Sequence, residues 1–282
     1  MTGALYAAGG GVVLAGLIAA GVALGGMTAT PEPAPLAAGG QSLPPLTGAE
    51  GAGGMDRATL RAEVRAYLLE EPEVLMEAIA VLEQRREIQQ QEAEIDLVRR
   101  NMERLSEDGY SYVGGNPEGS LTVIEFLDYR CGFCKRAHPE VEALLASDDD
   151  IRYIVKEYPI LGPESEVAAR AAMAVLMTEG EAAYKTYHDA LMEFGGNMTE
   201  GVIMRLAERS GIDVAALRRT MAEEGPEITA RIAQNRALAQ TLGINGTPSF
   251  VIGDTIVRGY LPLQQMREVV ALAREVQAAE EG

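Results

Sequence analysis

Tryptophan is absent from these 282 residues, phenylalanine occurs four times and histidine twice. A core made from this chain must lean on Ala, Leu, Val, Ile and Met. The twelve methionines read as gap-filling core and not as a run of copper ligands. Basic residues are also few. Twenty-four Lys and Arg face 42 Asp and Glu, for a net charge of −18. So acidic a chain is repelled by phosphate backbones, which argues against nucleic acid as a partner. Cysteine occurs only twice, as Cys131 and Cys134, so the two sulfurs pair with each other or with another molecule. Zinc would need two further ligands. His138 stands four residues past Cys134, and no fourth ligand is apparent. No metal and no cofactor is expected.

Charge is missing altogether from residues 1–31, and the first basic residue is Arg57. The apolar run Gly3 to Met27 is longer than the usual hydrophobic stretch of a signal peptide and long enough to span a bilayer. Residues 1–29 read as an export signal, as an uncleaved inner-membrane anchor in preference to a cleaved peptide. Either places the body in the periplasm or another extracytoplasmic space, where a disulfide persists. Residues 30–55, rich in Pro, Gly and Ala, read as a flexible linker.

Asp56 to Asp108 contains no Gly and one Pro, Pro72, and reads as two helices. In the second, Val74, Val81, Ile88, Ile95 and Met102 recur every seven residues. The partner positions Glu77, Gln84, Gln91, Val98 and Leu105 are polar in three cases of five. Such a stripe either packs on the body or self-associates. The expectation is a homo-oligomer, trimer or dimer, formed through residues 56–106.

The centre of the chain is LTVIEFLDYRCGFCKRAHP, Leu121 to Pro139. Leu121 to Leu127 reads as a buried strand and Lys135 to Ala146 as a helix with Pro139 inside it. A Cys-x-x-Cys at that junction sets the first sulfur where unpaired N–H groups and the helix dipole favour a thiolate. A purely structural bridge over so short a loop gains little chain entropy. Tyr110 to Val113 and Ile151 to Tyr158 read as further strands, the latter parallel to Leu121 to Leu127. Residues from about 163 to 224 read as a helical insertion, in which His188 is a packed residue and not a ligand. A helix from Pro226 to Leu242 precedes Gly243-Ile244-Asn245-Gly246-Thr247-Pro248. A hairpin turning at Gly253-Asp254 and a helix from Pro262 to Ala279 complete the chain.

This order, with FLDYRCGFC, Pro139 and GTPSFVIGD, resembles the DsbA-like thiol–disulfide oxidoreductases. These are α/β proteins of thioredoxin fold with a helical insertion; the likeness covers about residues 110–279 of a domain expected at 110–282. The preceding VRAYLLEEPEVLMEAIAVLE resembles the N-terminal oligomerisation segment of the ScsC-like branch. The resemblance implies that Cys131 is an exposed attacking thiolate and Cys134 a buried resolving thiol. It implies a cis Thr247-Pro248 bond against the disulfide, and a substrate-binding surface of Gly132, Phe133, Thr247 and Pro248. Glu125 takes the place of a buried acid that moves a proton at the second cysteine, with Lys156 expected to pair with it. The implied activity forms or isomerises disulfides in exported proteins, with a membrane redox partner restoring the starting state. Gly132-Phe133 stands where the strongly oxidising DsbA prototype has Pro-His, so the missing histidine argues for a milder oxidant. The rival reading is a thiol protein that binds Cu(I) through its two cysteines.

Overall fold

The computed structural model describes residues 56–281; the expected signal or anchor and the linker lie outside them. Contacts divide the chain into two units, residues 1–63 and residues 64–282, so the boundary falls within the first helix. That helix, α1 (Arg57–Glu70), is started by Asp56. Its carboxylate accepts from the Ala58 and Thr59 N–H groups. Among the described residues no helix is long and apolar enough to cross a membrane.

The second unit is a five-stranded sheet between helices. After α2 (Glu73–Ser106) come β1 (Tyr112–Gly115), β2 (Leu121–Leu127), α3 (Gly132–Ser147) and β3 (Ile151–Glu157). The insertion follows as α4 (Pro163–Glu179), α5 (Glu181–Glu193), α6 (Glu200–Arg209) and α7 (Val214–Glu223). The chain ends with α8 (Gly225–Thr241), β4 (Ser249–Ile252), β5 (Thr255–Arg258) and α9 (Leu263–Glu281). The sheet order is β1-β3-β2-β4-β5, with β2 and β3 parallel and the other pairs antiparallel. This is the thioredoxin fold with a helical insertion.

Strand alternation divides the core into two layers. Val123, Leu127, Tyr153 and Val155 pack with Ala137, Val141 and Leu144 of α3 and with the insertion. Ile124, Phe126, Ile154 and Val251 pack on the other face with Leu238 and Leu242 of the α8 end and with Val98 and Leu105 of α2. The expected first strand begins two residues late. Asp108 Oδ1 accepts from the Tyr110 and Ser111 N–H groups, and this turn keeps both out of the ladder. At the hairpin tip Gly253 has φ +59°, which L side chains rarely adopt.

Helix α2 resolves its ambiguous stripe in two halves. Its C-terminal end buries Val98, Asn101 and Leu105 in the body. Arg99 ties it to Asp254, and Glu94 ties it to Arg258. Its N-terminal half leaves Leu75, Met76, Ile79, Leu82 and Ile88 exposed. Removing residues 56–106 would therefore strip two core side chains, each worth roughly 1.5–3 kcal/mol of burial. A cut before Gln89 removes the exposed stripe and keeps the core.

Candidate functional site

Cys131 is the N-cap of α3, in extended conformation with φ −73° and ψ 115°. Asp128 builds the turn that puts it there. Its backbone carbonyl accepts from Cys131 N–H, and its carboxylate accepts from Arg130 N–H. The same carboxylate accepts from Ile160 and Leu161 N–H at 2.8 and 2.9 Å. Two loops at the C-terminal ends of β2 and β3 are thus fastened by one buried aspartate. The short-range bond to Arg130 N–H marks only a turn; the sequence pattern does not show that Asp128 also fastens the β3 loop, because those two partners are backbone groups more than 30 residues away.

Both cysteines are thiols. Cys131 is 7% exposed and Cys134 0%. The first sulfur therefore sits at the rim and not out in solvent, with the second sealed beneath it. Cys131 Sγ accepts from Cys134 N–H at 3.4 Å and, as a thiol, donates to the Thr247 carbonyl at 3.1 Å. The hydrogen bond with Cys134, the Cys134 and Phe133 N–H groups and the Thr247 side chain, which can turn to the charged sulfur, pull the Cys131 thiol down to about 5. Burial pushes the Cys134 thiol far up, and Glu125 and the Cys131 charge add to it. The two sulfurs are thereby separated into one thiolate and one thiol at neutral pH.

Thr247-Pro248 is a cis peptide, and its loop lies beside Cys131. The Thr247 hydroxyl is buried and accepts or donates no hydrogen bond in this dithiol arrangement. It is a donor available to the thiolate once the thiol proton has gone. Phe133 is exposed, and the Arg136 guanidinium lies 5.6 Å from its ring centre. A side chain at Gly132 would meet nothing within 4 Å, so the surface over the first turn is open. Ile160 and Leu161, whose N–H groups Asp128 holds, are also exposed.

Glu125 is buried on the α3 face of the sheet. Tyr153 donates to its Oε2, and its Oε1 has no partner. Burial raises its carboxyl to about 7. The expected pairing with Lys156 is not formed. In the parallel register Glu125 lies level with Val155, and Lys156 with Phe126. Successive strand residues face opposite sides, so Lys156 points into the α2 and α8 layer. There it pairs with Asp108 and donates to the Arg104 carbonyl. Lys156 therefore leaves the candidate catalytic set and joins the framework.

Lys135 was not foreseen from the sequence. It follows Cys134, and its ammonium turns onto the end of α5, donating to Leu191 O at 2.9 Å and Phe194 O at 2.6 Å. It satisfies the open carbonyls of that helix end and fastens the insertion to the first turn of α3. Burial lowers this ammonium to about 8.

The depressed thiol has a consequence for stability. An acid whose pKa is lower in the fold contributes stability that is complete above the unfolded value of about 9 and lost as pH falls through about 5. The disulfide form has no such group. The stability of the reduced protein relative to the oxidised one is expected to rise with pH between those limits, in paired denaturant titrations of the two forms. Thiolate absorbance should report the same midpoint near pH 5. A midpoint near 8.5, with no pH trend in the difference, would refute the assignment.

A family model for the DSBA-like thioredoxin domain matches residues 122–271, and one for the copper resistance protein ScsC N-terminal domain matches residues 56–94. A thioredoxin-like oxidoreductase from Silicibacter pomeroyi is similar at 44% identity, covering 61% of this chain and 97% of that one, with TM-score 0.58. The thiol-disulfide exchange protein alpha-DsbA2 from Wolbachia pipientis is similar at 27% identity, covering 64% and 96%, with TM-score 0.61. Among curated relatives, a Na(+)/H(+) antiporter NhaA 3 from Salinispora tropica is 30% identical over 143 residues. That match takes in 50% of this chain and 21% of the antiporter, so the chain spans about a fifth of the length of such relatives. The DSBA-like model takes in more than half of the chain, over the strand, the Cys-x-x-Cys helix, the insertion and the hairpin just described: the protein belongs to the DSBA-like thioredoxin domain family.

Proposed function

We propose that this protein carries out thiol–disulfide exchange on exported proteins through Cys131 and Cys134. The observation that carries this reading is the split between the two sulfurs. A rim thiol drawn down to about 5 lies above a fully buried thiol driven up. In the oxidising direction a substrate thiolate attacks Cys131 of the disulfide. A substrate–Cys131 bond forms, the Cys131–Cys134 bond breaks, and its electron pair leaves on Cys134. That sulfur takes a proton, for which Glu125, a neutral acid below about pH 7, is the donor at hand. The second substrate thiol, deprotonated, then displaces Cys131 as a thiolate. The substrate has lost two electrons and the dithiol has gained them. Isomerisation starts from the dithiol, with the Cys131 thiolate attacking a substrate disulfide. The Thr247-Pro248 loop, Gly132 and exposed Phe133 form the surface that takes the substrate chain. A membrane redox partner restores the starting state.

A thiol pKa near 5 lies between about 3.5 for the strongly oxidising DsbA and about 7 for thioredoxin. The expected reduction potential is therefore intermediate, between roughly −120 and −270 mV. Glutathione equilibration of the full chain, with thiols counted by mass, measures it. A pair that glutathione cannot reduce would make the bridge structural and end this reading. Cu(I) binding by the two thiolates is the second reading, drawn from the name of the family matched at residues 56–94. Full burial of Cys134 speaks against it.

Export by residues 1–29 and oligomerisation through the exposed half of α2 complete the proposal. A chain shortened to begin at Gln89 should be monomeric by light scattering where the full chain is not. An unchanged multiple of the chain mass after the cut would remove the oligomerisation role.

A further inference from the structure

A second cluster of titratable side chains lies one turn further along α3 from the cysteines, and the redox chemistry uses none of them. His138, one turn past Cys134, faces His188 and Asp189 of α5, and one ligand atom from each lies within 4.8 Å of the others. We propose that His138, His188 and Asp189 form a binding site for a divalent transition ion of the zinc class, joining the Cys-x-x-Cys helix to the helical insertion.

The geometry is partly made. His138 Nε2 and Asp189 Oδ1 are 3.2 Å apart. Two ligands at about 2.0–2.1 Å from one tetrahedral ion stand close to that distance from each other. The ion would take the place of the proton between them, and His188, whose ligand atom lies within 4.8 Å of the other two, would move in to complete three ligands.

Orientation of His188 follows from its outer neighbours. Tyr129 and Tyr184 each donate their single hydroxyl proton to Glu157 Oε1, at 2.7 Å. In the arrangement in which both hydroxyls donate to Glu157, the Tyr129 oxygen accepts from His188 Nδ1, at 3.1 Å, which selects the Nδ1–H tautomer and leaves Nε2 with the free lone pair. A histidine whose second nitrogen is tied down in this way is the usual form of a metal ligand.

Lys185 is the group that opposes a cation. It lies 2.7 Å from Asp189 Oδ2 and 3.0 Å from Glu142 Oε2. The three charges of Asp189, Glu142 and Lys185 sum to −1, so the surroundings still attract a dication. Lys185 keeps Oδ2 and Glu142 when the ion takes Oδ1. The site is reached from the Asp189 side, whose side chain is 30% exposed, while His138 and His188 are buried.

The test uses the full chain in its disulfide form, stripped with chelator and titrated with Zn2+ by calorimetry. One ion per chain is expected, with a rise in Tm. Asp189→Asn and His138→Gln, each checked for unchanged circular dichroism, should weaken uptake by about tenfold or more. The Cys131→Ser, Cys134→Ser double variant should bind as the parent does. Absence of saturable uptake would overturn the proposal. So would equal uptake by Asp189→Asn and His138→Gln, which would assign the ion to the acidic surface. Uptake that appears only with reduced cysteines would assign it to the thiols and equally defeat the site.

Discussion

Cys131→Ser is expected to lower the rate of disulfide exchange by about a thousandfold or more, because the group removed is the one that forms the bond. Cys134→Ser should behave differently. It leaves the attacking thiolate but removes the resolving sulfur, so mixed disulfides with substrate proteins should accumulate and be visible on non-reducing gels. The contrast follows from depth. Cys131 is at the rim beside Thr247, and Cys134 is sealed beneath it. Comparable trapping by the two single variants, or near-normal turnover by Cys131→Ser, would show that the sulfurs do not have the separate roles their surroundings imply.

Asp108→Ala is expected to destabilise the protein by roughly 3–5 kcal/mol, since it leaves a buried ammonium without its partner. Lys156 has no exposed surface, and besides Asp108 it reaches only the Arg104 carbonyl and the face of Tyr110. In a domain of this size that loss corresponds to a fall in Tm of roughly 10 °C. Combining Asp108→Leu with Lys156→Met should recover most of it, because removing both charges removes the desolvation cost as well. Burial raises the Asp108 carboxyl, but attraction and hydrogen bonding from Lys156 outweigh it and leave it lowered. A depressed carboxylate contributes stability above its unfolded pKa, about 3.9, that is lost as pH falls through the folded value. The parent should therefore lose stability in acid more steeply than the double variant. A thermal scan in which Asp108→Ala melts with the parent would mean that water reaches Lys156.

The Glu125 and Lys156 pairing shows where linear reading stops. Both residues lie in strands that the alternation of apolar side chains identifies, and both strands formed. The register decided the rest. A shift of one residue between β2 and β3 places the two side chains on opposite faces. No local pattern encodes that shift, since it depends on how the α3 crossover returns the chain. The α2 stripe is a similar case. Its heptad spacing is visible along the chain, but which end is buried depends on where β5 and α8 offer an apolar surface.

What the sequence determined by itself were the features with short-range causes. These are the strand-to-helix junction at the Cys-x-x-Cys, the helical insertion, the Gly253-Asp254 hairpin and the scarcity of partners for two cysteines. Each rests on side-chain periodicity or on one residue's backbone preference, which act within a few positions of the chain. Tertiary structure alone decided the polar chemistry. It placed Asp128 across two loops, Lys135 on the end of α5, Lys156 against Asp108 and His138 against Asp189. A hydrogen bond or an ion pair needs atoms about 3 Å apart, and only the packing of elements distant in the chain sets such distances.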